Sequence, residues 1–274
     1  MVAVFATVPE SNAVSQTTQT FSRGLGVNLL LFDREEVAED GTAVVRDVRA
    51  RHLRDVLRAE PGQTVRVGLA DGPKGTGTVV EVGPGGVRLA CAFEPCVPER
   101  PAVDVLLALP RPKVLRRLWA QMAALGVGRI LLTAAWKVER GYFDSHAIRP
   151  ETYRPLLVEG LQQAQDTRVP DVRIWRRFAT MLDEALGDPV ANETRWLADP
   201  AADTSASAVA ATGCDTERLL VAVGPEGGWT AQERASLEAR GFRGVSMGAR
   251  TLRSDTACVA LLALAHAARR ENGS

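Results

Sequence analysis

Two glycine-punctuated segments near the carboxyl end carry the residue types best suited to hold a ligand. They are Val223-Gly224-Pro225-Glu226-Gly227-Gly228-Trp229-Thr230 and Met247-Gly248-Ala249-Arg250-Thr251-Leu252-Arg253-Ser254-Asp255-Thr256-Ala257. Glycines at 224, 227 and 228 permit positive φ and let backbone N–H groups approach a bound molecule closely. Neither G-x-G-x-x-G nor G-x-x-x-x-G-K-[ST] occurs, so a phosphate-tailed ligand is not indicated. Spacing alone leaves a plain strand-to-helix turn equally open. The second segment adds chemistry. Arg250 and Arg253 bracket Leu252 at the mouth of a nearly all-apolar helix, Ala257–Ala268. An arginine held there calls for an anionic or carbonyl-rich partner, unless it merely pairs with Asp255 at the surface.

Each segment follows an apolar run that reads as a buried strand, and each leads into a helix. Thr230 with Glu233 three residues on forms a capping box, and Ser254-Asp255-Thr256 offers caps for the last helix. Both segments should therefore lie at one carboxyl edge of a parallel sheet, where α/β folds bind their ligands. The chain from Ala102 supports such a sheet. Strands are expected at Ala102–Leu109, Arg129–Thr133, Thr194–Leu197, Arg218–Val223 and Gly244–Met247. Helices are expected over Lys113–Leu125, Pro150–Ala164 and Phe178–Leu186. From Asn28 to Glu94 the pattern is different. Short strand-like runs at Asn28–Phe32, Thr42–Val48, Thr64–Gly68, Gly77–Val82 and Val87–Phe93 alternate with glycine and proline turns, the pattern of a small β-barrel. A short helix at 51–58 interrupts it, and Pro95–Pro101 reads as a linker. The expected domains are thus 28–98 and 99–274, preceded by a loosely ordered extension over residues 1–27, rich in Ser, Thr, Gln and Asn.

Charge excludes a globally basic protein, since 33 basic residues balance 33 acidic ones. Its distribution is uneven. Residues 99–180 carry 14 basic and 8 acidic groups, a net of +6. A polyanion would dock there first, with Arg111, Lys113, Arg116 and Arg117 as candidate contacts to an RNA backbone. The same four residues also fit the solvated face of an amphipathic helix. Four cysteines without C-x-x-C spacing and only three histidines argue against a metal site and for reduced thiols in a cytoplasmic protein. No apolar run reaches membrane-spanning length, and residues 1–26 lack the layout of a secretory signal.

The wording of the two loops is closely similar to that of the RsmE family. These are 16S rRNA (uracil-N3)-methyltransferases of the SPOUT superfamily. The resemblance rests on Gly224-Pro225-Glu226-Gly227-Gly228-Trp229 and Leu252-Arg253-Ser254-Asp255-Thr256-Ala257. His52-Leu53, Val56-Leu57-Arg58, Pro61-Gly62, Leu125-Gly126-Val127 and Thr167-Arg168-Val169-Pro170 extend it over nearly the whole chain from Asn28. It implies an N-terminal PUA-like β-barrel and a C-terminal α/β domain closed by a trefoil knot, working as a homodimer on 16S rRNA in the small ribosomal subunit. It also implies S-adenosylmethionine as cofactor. Carried over by motif position, Gly224, Pro225, Glu226, Gly227, Gly228, Met247, Gly248, Leu252, Arg253, Thr256 and Ala257 would line the cofactor, with the strand end Leu197-Ala198 as a third wall. Arg253 would stabilise charge on the uracil carbonyl oxygens, and Glu226, Asp255 or water would accept the proton.

Two stretches depart from the family pattern. A segment like Q-K-A-T-E-L-G stands here as Ala120-Gln121-Met122-Ala123-Ala124-Leu125-Gly126, and one like E-A-A-E-Q as Glu159-Gly160-Leu161-Gln162-Gln163. The lost charges keep two other readings open. One is a SPOUT methyltransferase acting on another RNA or a small molecule; the other is a non-catalytic RNA-binding assembly factor.

Overall fold

The computed structural model describes residues 28–187, 192–214 and 216–269. The extension expected over residues 1–27 lies outside the described residues. The first sheet contains β1 (Leu30–Phe32), β2 (Thr42–Val45), β3 (Thr64–Leu69), β4 (Lys74–Gly83) and β5 (Gly86–Phe93) in the order β1-β3-β4-β5-β2. Its ladders are antiparallel except β1 with β3. The sheet curls around Phe32, Leu53, Val67, Val79, Val87 and Leu89, all almost fully buried. Alternation along each strand sends these inward and the charged residues outward. Strand β2 stops earlier than expected. Asp47 caps helix α1 (Val48–Arg51) by accepting the Arg49 N–H at 2.9 Å, and a wide π turn continues that helix to Val56.

The second sheet has six strands. These are β6 (Val103–Ala108), β7 (Val127–Thr133), β8 (Asp171–Trp175), β9 (Glu193–Ala198), β10 (Arg218–Val223) and β11 (Arg243–Val245). Their order is β11-β9-β10-β6-β7-β8, and every ladder is parallel. On one face, Val103, Val105 and Leu107 join a core with helices α2 (Pro112–Ala124), α3 (Pro150–Ala164), α5 (Ala206–Thr212) and α7 (Ser254–Ala268). On the other, Leu106 and Ala108 pack with α4 (Phe178–Met181, prolonged by a π turn to Leu186) and α6 (Ala231–Glu238). Burial on both faces explains why β6, β7 and β10 read as nearly continuous apolar runs. The one charged residue of β6, Asp104, is completely buried and receives Arg129 Nε at 2.8 Å and Arg218 Nη2 at 2.6 Å.

Several expectations need correction. β8 and α5 were not expected. α7 begins at Ser254 rather than Ala257, with Arg253 in the N-cap position and no side-chain cap, so Ser254, Asp255 and Thr256 form its first turn. β11 is shorter than expected, ending at Val245.

The two sheets are clasped by backbone. Leu29 N–H donates to Gln162 O at 3.0 Å and Asp71 N–H to Thr167 O at 2.7 Å. The Thr167 hydroxyl donates to Gly72 O at 2.6 Å. Thr167-Arg168-Val169-Pro170 therefore acts as the strap between the halves. The glutamine-for-glutamate position Gln162 lies at the same seam. Of the two departing stretches, no residue lines the cavities bounded by the loops at 224–230 and 246–253. Gly160 is required where it sits, because an added Cβ would overlap the Ala120 carbonyl across the α2–α3 contact.

Candidate active site

The strand order puts β11, β9 and β10 side by side, so the segments leaving all three open onto the same carboxyl edge. They enclose a cavity of about 270 Å³. The end of β9 supplies Ala198, Asp199 and Pro200. The first glycine loop supplies Val223 to Trp229. The second supplies Met247, Gly248, Arg250, Thr251 and Leu252, and Ser254 and Ala257 of α7 close the wall. Two glycines are needed by conformation. Gly228 and Gly248 have φ of +71° and +100°, and an added Cβ at either would meet no protein atom within 4 Å. At both positions backbone alone faces open space, which suits a ligand held by main-chain groups.

The first loop is anchored from below and from the side. Its capping box forms as expected, with Thr230 N–H donating to Glu233 Oε2 at 2.8 Å. The Trp229 ring is buried beneath Gly224 and stacks at a tilt on Phe178, centroids 5.6 Å apart. Lys137, 90 residues earlier, donates through Nζ to Gly227 O at 2.6 Å. No local signal in the sequence marks that lysine, because the contact is made by the fold.

A second cleft of about 460 Å³ adjoins the cavity, and Glu226, Thr251 and Leu252 line both. Its other walls are Arg253 and Asp255 on one side and Arg111, Lys113, Val114 and Arg117 at the start of α2 on the other. Two ion pairs cross it. Arg111 Nε meets Glu226 Oε2 at 3.2 Å, and Arg117 Nη2 meets Asp255 Oδ2 at 2.8 Å. The alternative pairing of Arg253 with Asp255 does not form. Asp255 is taken by Arg117, and Arg253 is exposed with no ion pair or side-chain hydrogen bond among the described residues. One turn into α7, the Cys258 thiol is pushed up to about 12 by burial and by the Asp255 carboxylate, so it packs as a neutral group.

Most of the expected site residues converge, and three do not. Gly224, Pro225, Glu226, Gly227, Gly228, Met247, Gly248, Leu252 and Ala257 line the cavity. Arg111, Lys113, Arg117 and Arg253 line the adjoining cleft. Of the strand end Leu197-Ala198 expected as a third wall, Ala198 lines the cavity, while Leu197 is fully buried in the core. Successive side chains of a strand point to opposite faces, so only one of the pair reaches the cavity. Thr256 faces solvent because α7 starts three residues earlier than expected. Arg116 is exposed and lines neither space. Asp199, Pro200 and Thr251 were not anticipated as lining residues.

Comparison with known proteins places this arrangement among relatives. Residues 98–266 match the RNA methyltransferase domain family. The chain is 34% identical over 257 residues to ribosomal RNA small subunit methyltransferase E of Treponema pallidum (strain Nichols), covering 89% of this chain and 94% of that protein. In fold it is similar to ribosomal RNA small subunit methyltransferase E from Neisseria gonorrhoeae bound to S-adenosyl methionine. The TM-score is 0.65 and the identity 21%, covering 86% of this chain and 95% of that one. A putative methyltransferase from Legionella pneumophila in complex with the same cofactor is also similar, with TM-score 0.65, identity 19%, and coverage of 88% and 98%.

Proposed function

We propose that this chain, which belongs to the RNA methyltransferase family that includes ribosomal RNA small subunit methyltransferase E, methylates N3 of a uridine in 16S rRNA with S-adenosylmethionine as donor. The observation that carries the reading is the pair of adjoining spaces with a shared wall at Glu226, Thr251 and Leu252. The inner cavity fits the donor. Val223, Val245, Leu252 and Ala257 offer an apolar wall for a flat base, while the backbone at Gly228 and Gly248 is bare of side chains. When bound, the cofactor supplies an electrophilic methyl group on a sulfonium, so the protein's main task is alignment.

The cleft residues do the rest. Uracil N3 carries a proton at neutral pH, and its loss leaves negative charge on the flanking carbonyl oxygens. Arg253, exposed and unpaired beside the shared wall, is placed to donate to them. Of the two candidate proton acceptors, Asp255 has both oxygens engaged, by Arg117 at 2.8 Å and by the Thr256 N–H at 3.0 Å. Glu226 has one oxygen on Arg111 and the other free among the described residues. That difference favours Glu226. Arg111, Lys113 and Arg117 would then hold phosphates beside the target base.

The remaining parts of the reading rest on finer features. We take the curled first sheet as a PUA-like RNA-binding barrel, forming a domain over 28–98, and 99–274 as the SPOUT methyltransferase domain. Support for a trefoil knot comes from the segment 199–214, which is bonded to the C-terminal segment near both ends. Ser246 N–H donates to Thr204 O at 2.8 Å, and Cys214 N–H donates to Ala268 O at 2.8 Å. A homodimer fits the small-residue face of α7, where Ala263 and Ala267 are exposed. Action in the cytoplasm suits four free cysteines. Nucleoside mass spectrometry of 16S rRNA from a deletion strain tests the substrate. Loss of 3-methyluridine is expected; its persistence would reject the assignment.

A further inference from the structure

On the far side of the first glycine loop from the cofactor cavity lies a groove of about 1120 Å³. It runs over the carboxyl ends of β7 and β8 and is bounded by α4 and α6. Trp136 stands on its rim with 84% of its surface exposed, more than any other large apolar side chain among the described residues. Exposing an indole to water is unfavourable unless something covers it. Yet the residue is not loose. Its backbone N–H donates to Glu233 Oε1 at 2.7 Å, and Glu233 is itself buried and held by the capping box. The next residue, Lys137, is tied to Gly227 of the cofactor loop. The backbone that carries the ring is anchored, and the ring's faces are open to solvent.

The groove's charge is one-sided. Arg140, Arg176 and Arg177 line it against a single carboxylate, Glu233, whose oxygens are both already bonded. Arg176 pairs with Asp144 at 3.3 Å and donates to Phe143 O at 2.8 Å. Arg140 and Arg177 are exposed and have no partner among the described residues. An exposed aromatic on an anchored backbone beside free arginines is the combination that binds single-stranded nucleic acid, by base stacking and backbone neutralisation.

We propose that this groove holds single-stranded RNA flanking the target nucleotide, with a base stacked on Trp136 and phosphates on Arg140 and Arg177. The inference rests on the RNA methyltransferase reading and adds a second contact surface to it. Its consequence is mechanical. The segment 136–137 joins the stacked base to the cofactor loop through Lys137 and Gly227, so a strand in the groove and a base in the Arg253 cleft would straddle that loop.

The test uses the whole protein, 16S rRNA transcript and S-adenosylmethionine carrying a labelled methyl group. Filter binding gives the RNA affinity, calorimetry the cofactor affinity and light scattering the mass. For Trp136→Ala, RNA affinity should fall about 5- to 100-fold while cofactor affinity and mass stay unchanged. Trp136→Phe should recover most of the loss. Arg140→Gln with Arg177→Gln should flatten the salt dependence of binding, by about 0.7 in log–log slope for each phosphate of a single strand that is no longer neutralised. If wild type labels the RNA and Trp136→Ala binds it equally well, the groove proposal is wrong and the function stands. A change in mass on Trp136→Ala would make the ring a protein interface and also overturn the proposal. If wild type labels no RNA, the functional reading fails first.

Discussion

Replacing Arg253 by alanine separates chemistry from architecture. The side chain is exposed, makes no ion pair or hydrogen bond among the described residues, and occupies an N-cap position without capping α7. Surface substitutions of that kind change stability by about 0.5 kcal/mol or less. The cofactor cavity should also survive, because Arg253 lines the neighbouring cleft and not the cavity. The transition state is where the loss should appear. Removing one preorganised donor to a developing oxyanion costs on the order of 10²–10³ in kcat, or about 2.7–4 kcal/mol. Labelled methyl transfer to 16S rRNA at saturating cofactor measures kcat, and thermal unfolding and calorimetry provide the controls. Arg253→Lys should recover part of the rate, since it restores charge but not the planar fork. A kcat for Arg253→Ala within about twofold of wild type would refute the assignment. A parallel loss of cofactor affinity would instead make Arg253 part of the donor pocket.

Other perturbations follow from the same contacts. Asp104→Ala leaves Arg129 and Arg218 facing an emptied buried site; since both are about a third exposed, we expect about 3 kcal/mol of destabilisation, read as a lower urea midpoint. Gly160→Val forces side-chain atoms into the Ala120 carbonyl and should cost at least about 1–3 kcal/mol, again by urea unfolding; an unchanged midpoint would mean α2 and α3 can separate at no cost. His266 is held below its ordinary value of 6.5 by burial and then by Arg269. As pH falls through 6.5 the unfolded chain takes up a proton that the folded one resists, so stability is lost on acidification. Denaturation from pH 8 to 5 should therefore show a smaller loss for His266→Gln than for wild type, and equal losses would remove His266 as the cause.

Much of the architecture and most of the cofactor wall could be read from the sequence because their signals are local. Glycine and proline mark the loop at 224–230, Thr230 and Glu233 lie three residues apart, and β6 and β10 are short runs that are apolar except for Asp104 and Arg218. What escaped has non-local causes. β8 mixes Asp171 and Arg173 with Val172, Ile174 and Trp175 because it is an edge strand, only partly covered. α5 is a short run of alanine, serine, valine and threonine whose place is set by packing on α7. The start of α7 was misplaced because Ser254, Asp255 and Thr256 are good capping residues, yet Arg253 occupies the cap. The partner of Asp255 lies 138 residues away in Arg117, a distance no spacing rule spans. That pairing matters most, because it leaves Arg253 free in the cleft.

The central claim is that the cavity and the cleft work as donor and acceptor sites on one RNA base. The direct measurement incubates the protein with 16S rRNA and S-adenosylmethionine carrying a deuterated methyl group, then digests the RNA for mass spectrometry. The predicted result is deuterated 3-methyluridine with wild type and its near absence with Arg253→Ala. Label on another nucleoside, or on none, would contradict the claim.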